Sequence, residues 1–195
     1  MGWPSRLSYQ QVAATGIARS LTVLVSYGDF DTATAVLSAD PSLAEDPDAL
    51  AAAARSGHEP IVRLILQHRP RVVERVAVAA KSRALTELLF QSGMNPNLPG
   101  WLGVTPLHRF ARNGHLDGAA AFLDHGANLH ARDEEFCTTP LGYAAAAGQR
   151  RMVEFLLDRG AKVSLPDDLD WATPLALAAY RGHRAIVTML KAHGA

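Results

Sequence analysis

The chain has 195 residues, with 19 basic and 19 acidic side chains and 48% hydrophobic residues. That is enough chain for one core of ordinary domain size, and the neutral balance excludes the broad basic stripe expected of a nucleic-acid-binding protein. Cys137 is the only cysteine, so an intramolecular disulfide and a paired-cysteine zinc site are excluded.

No apolar run approaches the length of a membrane span. The opening Met1-Gly2-Trp3-Pro4-Ser5-Arg6 carries no apolar leader behind it and does not fit a lipidation signal. The expectation is a cytoplasmic protein that touches no membrane.

Residues 1–18 read as an N-terminal cap, with Gln10 and Gln11 as its polar marks. Gly28-Asp29 then separates two helical stretches, the second carrying Ala33, Val36 and Leu37. Gly57-His58 does the same 29 residues later and is followed by Ile61, Val62, Leu64 and Ile65. The next such position is Lys81, 24 residues on, ahead of Leu85, Leu88 and Leu89. An interval of 24 leaves room for a short connection but not for an extended finger between helix pairs. Arg69, Arg71, Arg75, Lys81 and Arg83 crowd this stretch against Glu74 alone. They read first as a solvated face and second as a weaker binding patch.

From residue 93 the pattern sharpens. Thr105-Pro106-Leu107-His108, Thr139-Pro140-Leu141-Gly142 and Thr173-Pro174-Leu175-Ala176 recur at intervals of 34 residues. Each Thr is followed nine residues later by a glycine (Gly114, Gly148, Gly182) and twelve after that by another (Gly126, Gly160, Gly194). A threonine hydroxyl caps a helix, and proline suits its first position, where the missing N–H has no partner to lose. The first glycine breaks the chain between two helices and the second ends the pair. Apolar residues at helical spacing, such as Met152, Val153, Phe155 and Leu156, fill the second helix. Gly118 stands where sister repeats place Ile61, Leu85, Met152 and Ile186. Since glycine costs about 1 kcal/mol against alanine inside a helix, Gly118→Ala is expected to raise the melting temperature.

These residues resemble the ankyrin repeat, a unit of about 33 residues with a Thr-Pro-Leu-His signature, a β-turn and two helices. The resemblance is clear over 93–195 and degenerate over 19–92. It implies an all-α solenoid of about six stacked helix pairs, with β-hairpin fingers mainly in the C-terminal half, forming one continuous domain over 1–195. The eight histidines then have structural roles. His108 takes the signature position, which bonds between repeats, and His58, His115 and His183 follow the inter-helix glycine. His68, His125 and His193 precede the helix-ending slot, where polar groups suit the last carbonyls. No phosphate loop, zincin helix or nucleophile elbow occurs, and acidic neighbours work against a reactive Cys137 thiolate. No catalytic residue, metal site or cofactor is expected.

The family binds partners through finger tips and the exposed edge of each first helix. Carried over position by position, the edge sites include Arg112, Asn113, Tyr180 and Arg181. Trp101, Phe136 and Trp171 fall 35 residues apart, each just before a Thr-Pro, and read either as interface anchors or as braces for the fingers. Asp133, Glu134, Glu135, Asp167, Asp168 and Asp170 surround them. The expected function is that of a non-catalytic, monomeric module binding another protein, through a basic and partly apolar segment. An enzyme or accessory domain with a site assembled across repeats, and a self-associating spacer, are the alternatives.

Overall fold

The computed structural model describes residues 21–76 and 80–195; the expected cap at 1–18 and Ala79 lie outside them. Their contacts gather into two compact units, one ending at Asn95 and one beginning at Pro96.

In the first unit, α1 (Leu21–Tyr27) pairs with α2 (Phe30–Ala39), and α3 (Pro47–Ser56) pairs with α4 (Glu59–His68). Helix α5 (Arg83–Gln91) follows. The connections are short 3₁₀ turns, Pro41–Glu45 and Pro70–Arg75, in keeping with the short intervals. Helix α3 buries Ala49 through Ala54 without a bulky side chain except Leu50, so α1 can lie closely against it. Asp29 starts α2 by accepting the Thr32 N–H (3.0 Å) and hydroxyl (2.7 Å). Those bonds, the hydroxyl first, hold its carboxyl below the ordinary carboxylate value. Within the basic stretch Arg69 is already paired, to Glu45 at 3.1 Å.

The second unit holds three complete pairs: α6 (Pro106–Asn113) with α7 (Leu116–Asp124), α8 (Pro140–Ala146) with α9 (Arg150–Asp158), and α10 (Pro174–Tyr180) with α11 (Arg184–Ala192). The first helices pack in series, α6 on α8 on α10. Thr139 and Thr173 cap their helices as expected, each hydroxyl accepting the N–H three residues on. Gly114 turns the chain out of α6 at φ +72°, a left-handed conformation that L side chains rarely adopt. After Gly148 and Gly182 the next residue closes on the repeat before it. The Gln149 amide donates to the Arg112 carbonyl (3.1 Å), and His183 Nε2 bonds the Ala146 carbonyl (3.2 Å). His125 and His193 each bond, through Nδ1, the carbonyl four residues back, which satisfies a helix end.

Two expectations change here. Among the described residues no strand forms; the fingers are built from turns instead of β-hairpins. The cause is visible in the middle finger, where the Asp133 carboxylate takes the N–H groups of Glu135, Phe136 and Thr138. Cys137 adds a left-handed φ of 51°.

The second change concerns Gly118. A Cβ there would lie 2.7 Å from Phe110 Cε1 and 2.8 Å from Cδ1. The Phe110 ring is buried and stacks edge-on against Phe122 with centroids 5.0 Å apart, so it has little room to retreat. Overpacking of this kind costs about 1–3 kcal/mol, more than the roughly 1 kcal/mol gained in helix propensity. Gly118→Ala is therefore expected to lower the melting temperature, by about 2–6 °C for a chain of this length. A raised value in a thermal scan would restore the propensity argument.

Candidate functional site

Three fingers precede α6, α8 and α10. The first is the 3₁₀ turn Trp101–Gly103. Trp101 stands 84% exposed on it and braces nothing. Its neighbour Leu102 accepts the Glu134 N–H (2.9 Å), which ties the first finger to the second. The third finger is tied to the second by Arg132, paired with Asp168 at 2.7 Å.

The acidic residues divide into two kinds. Asp133 is 2% exposed. Besides its three N–H partners it bonds the Tyr143 hydroxyl. Asp168 has a side chain 6% exposed, spent on Arg132 and on the Leu165 N–H (2.6 Å). Both were expected to offer charge at the finger tips, and neither does. Short Asp side chains readily bond nearby backbone N–H groups, and here that local chemistry and the Arg132 pair use them up. Glu134, Glu135, Asp167 and Asp170 do face solvent.

Between the second and third fingers and the C-terminal ends of the first helices runs an open groove of about 880 Å³. Phe136 and Trp171 line its finger side, while Ala146, Ala147, Tyr143 and Leu177 form its floor. Arg112, Tyr180 and Arg181 line its helix side. Five residues singled out in the sequence thus come together, namely Arg112, Phe136, Trp171, Tyr180 and Arg181. Asn113 and Trp101 are exposed but do not line it. Tyr143 and Leu177 were missed. They lie one helical turn before Ala147 and Arg181, on the same face, so the 3.6-residue period was the signal that would have found them. Burial first, and then the Asp133 carboxylate, push the Tyr143 phenol up to about 12, so it stays an uncharged groove residue.

Behind the groove lie the bonds that hold successive repeats together. His108 is fully buried. Its Nδ1 faces the Thr105 N–H (3.2 Å) and hydroxyl (2.8 Å), and its Nε2 donates to the Thr138 carbonyl (3.2 Å) of the next finger. In the following repeat the histidine slot holds Gly142. The Thr138 hydroxyl occupies that space and donates to the Ala172 carbonyl (2.7 Å). Thr138 and Ala172 occupy the same place, just before Thr-Pro, so a threonine does in one repeat what histidine does in the other.

The structure thus repeats one unit three times in full, with a signature histidine bonding between repeats. A family model described as Ankyrin repeats (3 copies) matches residues 75–167 and 139–195, together more than half of the chain. The chain belongs to the ankyrin-repeat family. No curated protein matches it at a significant level. Ankyrin repeats are generally protein-interaction modules and typically not enzymes. No group of three His, Cys, Asp or Glu side chains converges on a metal-sized site among the described residues, and none of the described helices is long and apolar enough to cross a membrane.

One pH effect follows from the ankyrin signature bond. Burial pushes His108 below its ordinary value of 6.5. The unfolded chain then takes up this proton at a higher pH than the native one. The stability involved is full above about pH 6.5 and is lost as pH falls through the native value. Between pH 7.5 and 5.0 the urea midpoint is expected to fall further in the wild type than in His108→Asn. Equal falls would show that burial of His108 contributes nothing to the pH dependence.

Proposed function

We propose that the protein is a non-catalytic interaction module whose partner docks in the groove of the C-terminal unit. The observation that carries this reading is the groove itself, with Phe136, Trp171 and Tyr180 exposed around a floor of small and apolar side chains. Large exposed aromatics beside small residues give a partner both anchors and pockets. The exposed Glu134, Glu135, Asp167 and Asp170 favour a segment that is basic on the finger side and apolar beneath. Trp101, outside the groove, extends the contact surface toward the first finger.

Site-specific photo-crosslinking tests the reading. A crosslinker at Ala147 in the floor should capture a partner that the same group at Arg151, exposed on α9, does not. Trp171→Ala should weaken that partner's binding by about 2 kcal/mol, or roughly thirtyfold. Equal capture at both positions, or affinity unchanged by Trp171→Ala, would refute it.

A further inference from the structure

Arginines line the helix side of the groove, and exposed acids adjoin the aromatic residues that line its finger side. On the helix side, Arg112 and Arg181 are exposed, and neither guanidinium takes part in an ion pair with another described residue. Arg181 lies over the Tyr180 ring at 6.0 Å. On the finger side Glu135 adjoins Phe136 and Asp170 adjoins Trp171, and both acids are exposed. Tyr143 in the floor feels both walls, with Arg112 favouring its ionised form and Glu135 opposing it. The floor between them is apolar.

Such a groove asks three things of its occupant: an apolar face downward, acidic groups toward Arg112 and Arg181, and basic groups toward the fingers. A strand presents two faces and cannot meet all three, whereas a helix can sort three chemistries around its axis. Arg112 sits in α6 and Arg181 just past the end of α10, with α8 between those helices. With neighbouring helix axes 8–10 Å apart, that is about 20 Å, the length of about 13 helical residues.

We infer that the groove is built for an amphipathic partner helix of about 13 residues whose apolar stripe is flanked by acidic residues on one side and basic residues on the other. This rests on the groove reading above and adds to it the chemistry of the partner. Charge arrangement of this kind sets which partners are accepted more than how tightly an accepted one is held.

The test uses three fluorescein-labelled 18-residue peptides, each with the same leucine stripe, and reads binding by anisotropy. One carries glutamate on one flank and lysine on the other. The second has the same composition with the charges mixed over both flanks, and the third has lysine on both. The sorted peptide is expected to bind at least about tenfold tighter than either, a difference of about 1.4 kcal/mol. The double variant Arg112→Glu/Arg181→Glu makes both walls acidic and should shift the preference to the lysine-only peptide. Both positions are exposed, so the variant should fold, and its circular dichroism confirms that independently.

Mixed and sorted peptides binding within about twofold of each other, a preference untouched by the double variant, or no binding of the sorted peptide, would each overturn the inference. Ala147→Trp, which fills the floor, separates the two readings. If it abolishes binding that showed no charge preference, the groove stands and the charge sorting falls. If the peptides bind Ala147→Trp as before, the groove itself is not the site.

Discussion

Gly142→Ala is expected to destabilise the protein by about 3 kcal/mol, lowering the melting temperature by about 6–12 °C. A Cβ at this position would overlap the Thr138 hydroxyl and stand 3.3 Å from Leu177 Cδ1. Thr138 is 3% exposed. Any rotation that relieves the overlap breaks its 2.7 Å bond to the Ala172 carbonyl. A buried carbonyl left without a donor costs about 1–3 kcal/mol, and the overpacking adds about as much. The helix propensity returned by alanine recovers about 1 kcal/mol. Thr138→Val separates the two costs, because it keeps the shape and removes only the donor; its loss should be about half as large. Urea titration of the two variants decides. If Gly142→Ala were as stable as the wild type, the hydroxyl would not be holding the next repeat in place.

This device also shows where sequence reading stops. The Thr-Pro-Leu runs and the paired glycines carry the fold because each has a local physical role that survives in any context. A cap hydroxyl, a preset φ and a helix-breaking turn all act within a few residues. The buried face of each second helix was equally legible, since Ile61, Leu85, Met152 and Ile186 recur at one slot and all are buried. What could not be read from spacing was a role set by a side chain from outside the residue's own helix. Gly118 looked like a gap in a helix because Phe110, the ring that fills it, comes from the preceding helix of its own repeat. Gly142 drew no reading of its own beyond its place in the Thr-Pro-Leu run, although the doublet Thr138-Thr139 held the donor that takes the histidine's part.

The candidate site divides in the same way. The aromatics were found by register and the first-helix edges by the family resemblance; Arg112, Phe136, Trp171, Tyr180 and Arg181 line one groove, while Trp101 and Asn113 stand outside it. The six acids were grouped by composition, and composition cannot tell a solvated carboxylate from one that folds a loop. Asp133 and Asp168 differ from the exposed Asp167 and Asp170 in their place in the turn and not in side-chain length, since only the first two bond several groups of their own loop or the neighbouring finger.

Asp133→Ala tests that distinction, and its effect should be large on two separate readouts. The carboxylate accepts bonds at 3.1 Å from the Glu135 N–H, 2.7 Å from Phe136 and 3.0 Å from Thr138. It also bonds the Tyr143 hydroxyl. Removal leaves these donors to find water or remain unpaired. With charge-assisted bonds worth about 1.5–3 kcal/mol each and the exposed N–H groups recovering part of theirs from solvent, a net loss of about 3–4 kcal/mol is expected. The second readout is binding. This turn carries Phe136 and Glu135 at the groove and Glu134 at the link to Leu102, so a loosened finger must be ordered again when a partner docks. Affinity for a groove ligand should fall by about tenfold, even at temperatures where the variant is fully folded. Glu134→Lys is the contrast, since its side chain is exposed and its main-chain bond to Leu102 does not depend on the carboxylate. It should leave stability within about 0.5 kcal/mol of the wild type. If Asp133→Ala and Glu134→Lys instead change stability equally little, Asp133 is a surface acid after all, and the finger keeps its shape without it.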